Sequence, residues 1–131
     1  KIGSAYEDPE LDDMFNTYQL PRSQYFVIQE GDRILGGAGI SPLRDGDANI
    51  CELQKMYFNK SLRGRGIGQK MIQICIDFAV KSDFDKCYIE TMPNMIKAQK
   101  LYIKQGFKYI DSPLGNTGHN ACPIWMIKEI R

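Results

Sequence analysis

Three glycines and two arginines fall within six residues, Arg63-Gly64-Arg65-Gly66-Ile67-Gly68, just before Gln69 and an apolar helical pattern. These residue types at this spacing suit an anion. Glycine lets the backbone approach a ligand closely and adopt positive φ. The first turn of a helix has unpaired N–H groups and the positive end of the macrodipole. A phosphate at that end is held by several amides at once. Arg63 and Arg65 add charge and donors that match phosphate. The plainer alternative is a glycine-rich turn with two solvated arginines. Two phosphate-binding frames fail. Counted from Gly64, the P-loop needs glycine where Gln69 stands and a hydroxyl where Met71 stands. The dinucleotide fingerprint needs a third glycine at Gln69 or at Met71.

What remains, Arg63-x-x-Gly66-x-Gly68, resembles the acetyl-CoA signature of the GNAT N-acetyltransferase superfamily, Gln/Arg-x-x-Gly-x-Gly/Ala. A second segment begins at Ala98 and runs through Leu101-Tyr102 to Gly106-Phe107. It looks like the family's later motif, Ala-x-x-Leu-Tyr-x-x-x-Gly-Phe. The two occur in this order about 35 residues apart, with a strand-like run between them, and the resemblance covers roughly residues 25–128. There is one departure. Where the family often has Asn three residues before the motif's Ala, this chain has Met95, with Asn94 one place early.

The resemblance implies an acetyl-CoA-dependent N-acetyltransferase working by direct transfer in a ternary complex. The amine must be neutral to attack a thioester. The tetrahedral intermediate needs N–H donors aimed at its oxyanion, and the leaving thiolate benefits from a nearby acid. By resemblance, Gly64, Arg65, Gly66, Ile67, Gly68 and Gln69 cradle the pyrophosphate beside Arg63. Backbone groups of Met56, Tyr57 and Phe58 hold the acetyl carbonyl and pantetheine, and Tyr102 is the acid, with a core helix tyrosine as its plain alternative. Two carboxylates compete as base. Glu52 lies eleven residues before Arg63, and Glu90 lies twelve before Tyr102. Each matches the base position of a different branch of the family. A salt-bridged or solvated strand glutamate is the plain alternative for each, and water relay is a third case. The other functional class is a catalytically silent CoA-binding regulatory or interaction module. The acceptor is expected to be a small-molecule or protein amine, and self-association into a homodimer stays open.

These groups need elements to position them. Apolar residues at Met71, Ile74, Cys75 and Phe78 follow the i, i+3, i+4, i+7 helical pattern, and Ile72, Ile76 and Ala79 widen that face. The spacing predicts a short helix over 8–18, a strand over 25–30, a turn at Gly31-Asp32 and a return strand over 34–40. Gly36, Gly37 and Gly39 in the return strand suggest close packing or a bulge. A strand over 49–58 follows. Its alternation slips, with Leu53 apolar, Gln54 and Lys55 polar, then Met56, Tyr57 and Phe58 all apolar. A β-bulge produces such a slip, as does a strand end buried on both faces. A strand over 87–91, parallel to the previous one by the crossover rule, precedes a helix over 97–105 that stops at Gly106. A short strand over 107–110, a long loop over 111–123 and a closing strand over 124–130 complete the order. The fold class is α/β, an α+β mixed sheet with packed helices. By resemblance it is a GNAT-like acyl-CoA N-acyltransferase fold. Only one helix precedes the first predicted strand, and Lys1 is not an initiator Met. The expected domain therefore lacks the family's first strand and most of its first helix.

At 131 residues the chain is one domain by length. A net charge of +1 provides no basic field for nucleic acid and no polybasic membrane patch. No apolar run reaches the length needed to span a bilayer, about 20 residues. Cys51, Cys75, Cys87 and Cys122 form no Cys-x-x-Cys pair, and three lie in apolar patterns. Buried free thiols in a reducing, cytoplasmic compartment are expected rather than disulfides or zinc. His119 is the only histidine, so no metal site is expected. It sits in the long loop, either against the acceptor or exposed without a role.

Overall fold

The computed structural model describes residues 20–117 and 123–131. The predicted helix over 8–18, the expectation about the family's first strand and helix, His119 and Cys122 lie outside them. Strands β1 (Gln24–Glu30), β2 (Arg33–Pro42) and β3 (Ile50–Phe58) form an antiparallel meander. A 3-10 turn (Lys60–Leu62) leads to helix α1 (Ile67–Lys81) and strand β4 (Lys86–Thr91). Helix α2 (Ile96–Lys104) precedes β5 (Lys108–Ile110) and β6 (Ile124–Glu129). The sheet order is β1-β2-β3-β4-β6-β5, so the last strand slots between β4 and β5. Among the described strands only the β3–β4 pair is parallel, as the α1 crossover requires.

The two sheet faces differ. Cys51 and Leu53 of β3 and Cys87 and Ile89 of β4 face the helices and join the main core. There they meet Met71, Ile72, Cys75, Ile76 and Ala79 of α1 and Tyr102 of α2. Ile50 and Tyr88 face the other way and pack with Leu43, Leu114 and Trp125. Side chains alternate along a strand, so Glu52 and Glu90 share this second face. One expectation for α1 is corrected. Ile74 is 46% exposed, because the buried stripe centres on 72, 75, 76 and 79 and leaves Ile74 on its outer flank.

The phase slip in β3 is a bulge. Gly37 pairs with Tyr57 but Gly39 pairs with Gln54, so β3 carries one extra residue, and Lys55 takes φ 52°. Tyr25 Oη donates to the Lys55 carbonyl at 2.8 Å and braces the kink. Two β2 glycines make room for it. A β-carbon on Gly36 would lie 2.7 Å from the Tyr57 carbonyl oxygen, and one on Gly37 would lie 2.7 Å from the Tyr25 ring. β3 and β4 part after Glu52, just ahead of the bulge. The parallel ladder runs only from Ile50↔Lys86 to Glu52↔Tyr88, which leaves the β4-facing edge of the later β3 residues outside it.

Candidate active site

The cleft at the start of α1 is built by backbone geometry. Gly64 and Gly66 adopt φ +75° and +69°, and Gly66 is the N-cap, with no side-chain hydrogen bond to the cap. The first amides of α1 are therefore not taken by a capping side chain. Gly68 allows close approach, since a β-carbon there would lie 2.8 Å from Leu101 Cδ2 of α2. The result is a cleft of about 440 Å³ between the loop and α2. Arg63, Gly64, Gly66, Ile67, Gly68 and Gln69 line one wall, Phe58 the inner end, and Lys97, Leu101 and Lys104 the other wall. The lining carries three cationic side chains and no carboxylate, a donor set that fits a phosphate. Arg65, Met56 and Tyr57 lie outside this lining, and Tyr57 is 44% exposed. Lys97 and Lys104 were not singled out in the sequence. Their seven-residue spacing puts them two turns apart on one helix face, a signal that acquires meaning only once the opposite wall is known.

Glu52 is buried on β3 at the last rung of the parallel ladder. Gln54 Nε2 donates to its Oε1 at 2.7 Å. Burial pushes the carboxyl up to about 7, and the Gln54 bond opposes this rise; Glu90 adds to it and Lys55 opposes it. Glu90 lies on the adjacent strand, on the same face. Tyr88 Oη donates to its Oε2 at 2.6 Å, and Thr117 Oγ1 donates to its Oε1 at 2.5 Å. Burial, followed by the bond to Glu90, raises the Tyr88 hydroxyl above its usual range. Tyr102 is buried on the helix side, its ring 5.9 Å from that of Phe107. Burial, with Cys87 contributing, pushes its hydroxyl up to about 12. The two carboxylates and the phenol thus flank the parting strands from opposite faces.

A model of the acetyltransferase (GNAT) family matches residues 3–107. The chain is 38% identical to the uncharacterized N-acetyltransferase YjgM of Escherichia coli strain K12, over 98% of this chain and 77% of that protein. The structure is similar to a GNAT-family acetyltransferase of Staphylococcus aureus Mu50, with a TM-score of 0.82 and 25% identity over 94% of this chain and 78% of that one. It also shares the fold of a GNAT-family acetyltransferase from Elizabethkingia anophelis with acetyl-CoA bound, with a TM-score of 0.68 and 20% identity over 94% and 84% of the two chains. With a glycine-rich helix start, a bulged strand parting from its parallel neighbour and a family match over most of its length, this chain belongs to the GNAT acetyltransferase family.

Proposed function

We propose that this chain is one acetyltransferase domain that moves an acetyl group from acetyl-CoA to a primary amine by direct attack in a ternary complex. The observation that carries this reading is the parting of β3 and β4 beyond Glu52, with a buried carboxylate on one face and a buried phenol on the other. The amides at the α1 start, with Arg63, Lys97 and Lys104, hold the cofactor's phosphates. The β4-facing backbone of Met56, Tyr57 and Phe58 holds the pantetheine and the acetyl carbonyl, and its N–H groups stabilise the oxyanion.

Glu52 takes the proton from the amine as nitrogen forms its bond to the thioester carbon. A base with a pKa of about 7 combines ionisation at neutral pH with real proton affinity. When the C–S bond breaks, Tyr102 donates to the departing sulfur. A hydroxyl held at about 12 stays protonated at neutral pH, but an ordinary thiol titrates near 8.5. The proton therefore moves in concert with C–S cleavage. The free, buried Cys51, Cys75 and Cys87 support a reducing, cytoplasmic setting.

The test is thiol release from acetyl-CoA across a panel of small amines, amino acids and peptide N-termini, run beside Tyr102→Phe. The expected result is amine-dependent release that falls by at least ~10-fold in kcat in Tyr102→Phe, with CoA affinity retained. CoA binding with no turnover on any amine would instead favour the silent binding module. Full kcat in Tyr102→Phe, with chemistry limiting, would return Tyr102 to a packing role.

A further inference from the structure

The loop after β5 meets the loop after β2 on the carboxylate face of the sheet, at very close range. Gly115 holds φ +61°, and a β-carbon there would overlap the Arg44 carbonyl oxygen and lie 2.8 Å from Leu43 Cγ. The Asn116 N–H donates to the same Arg44 carbonyl at 2.6 Å. Leu114 packs beside Leu43, Ile50 and Tyr88. The loop is also tied to β4. The Leu114 N–H donates to Tyr88 Oη at 3.1 Å, and that hydroxyl donates onward to Glu90. Thr117 reaches the other Glu90 oxygen directly. Each oxygen of Glu90 therefore accepts from a hydroxyl, one on the loop itself and one that holds the loop. Hydrogen bonds to an ionised carboxylate are the strong kind. Such bonds restrain Glu90 and occupy one lone pair on each of its oxygens.

We propose that Glu90 is a positioning residue and not the base: through Tyr88 and Thr117 it fastens loop 111–117 over the acceptor side of the active site. This rests on the acetyl-transfer reading, in which Glu52 on the same face receives the proton. The loop then forms a fixed wall of the acceptor pocket, and loosening it costs acceptor binding before it costs chemistry. Among the described residues, the charged and titratable groups that interact with Glu52 include Lys55 on its own strand and Glu90, Cys87 and Tyr88 on β4. Tyr88 stands opposite Glu52 in the parallel register, and Ser41 opposite it on β2.

The experiment compares Thr117→Val, Thr117→Ser and Glu90→Gln in the whole chain. Thr117→Val keeps the shape and removes the donor; Thr117→Ser keeps the donor. In Thr117→Val, amide hydrogen exchange at Leu114 and Asn116 is expected to accelerate at least about fivefold, the effect of losing one hydrogen bond, while Thr117→Ser stays near wild type. Acceptor KM should rise in Thr117→Val, with CoA affinity unchanged. Glu90→Gln should keep the low-pH limb of kcat/KM and move it to lower pH, because losing the neighbouring negative charge makes Glu52 easier to ionise. Glu52→Gln should abolish that limb. Unchanged exchange in Thr117→Val, or a limb abolished by Glu90→Gln, overturns the proposal. The exchange arm needs no turnover, so it judges the fastening separately from the acetyl-transfer reading.

Discussion

Glu52 places a titratable group where water is almost absent, at 2% exposure, and its proton affinity follows from that. Its carboxyl rises from an ordinary 4.5 to about 7, chiefly through burial. The native state therefore binds this proton more tightly than the unfolded chain does. The corresponding stability is fully present below about 4.5 and is lost as pH rises through about 7. Glu52→Gln removes the titration while keeping the shape. It should stabilise the protein at about pH 8 by up to about 3 kcal/mol relative to wild type, and by much less at about pH 4. Urea unfolding at the two pH values measures this. A gain that is larger at the acidic end would mean that Glu52 is not held as a high-pKa carboxyl. If Glu52 is the base as proposed, the same substitution that stabilises the fold should abolish turnover.

At the scale of elements, the cleft proposed to hold the cofactor depends on one loop, one helix start and one neighbouring helix. Gly66 combines a left-handed conformation with the cap position of α1, and its open side faces no atom within 4 Å. Gly66→Asp would strain the turn and place a negative charge at the positive end of the helix. CoA affinity measured by calorimetry should fall by more than about tenfold, since a charge-assisted contact is lost and a repulsion is gained. Lys97→Ala combined with Lys104→Ala should weaken CoA binding without any change in the turn, and the loss should shrink at high salt. If the folded Gly66→Asp protein kept wild-type affinity, the phosphates would have to sit elsewhere. The bulge in β3 is the other decisive element. Gly36, Gly37 and the Tyr25 hydroxyl support the kink at Lys55, and a flat β3 would continue pairing with β4 and close the gap.

Across the whole molecule, the sheet buries its helical face around three thiols. Cys51 and Cys87 are partners on adjacent parallel strands, and Cys75 comes to the same core from α1. Burial pushes Cys75 up to about 12, and the bond to Cys51 together with burial raises Cys87 well above the usual thiol range. A thiolate is the reactive form, which holds Cys75 and Cys87 inert, and Cys51 at 0% exposure is out of a reagent's reach in the native state. Peptide mapping after alkylation should find Cys51, Cys75 and Cys87 modified only once the protein is unfolded. Rapid native labelling of any of the three would mean that this core opens readily. Among the described residues no helix is long and apolar enough to cross a membrane.

The sequence by itself determined what local spacing can encode. The glycine-rich start of α1, the failure of the two nucleotide frames and the two motifs of the family were legible because each depends on residues close along the chain. Helices α1 and α2 and the six described strands were legible for the same reason, to within a few residues at their ends. The β3 bulge was legible only as a slip in alternation, which burial on both faces would also produce; the register against β2 decided it. Tertiary structure alone decided what depends on distant partners. It set β6 between β4 and β5, because strand order comes from hydrogen bonds between segments far apart in sequence. It turned Ile74 outward and brought Lys97 and Lys104 to the cleft. Glu52 and Glu90 read alike in the sequence, two strand glutamates at similar distances from a motif. They separate in the fold because one is buried with its carboxyl raised, and the other is held by hydroxyls from its own strand and from a loop 27 residues away.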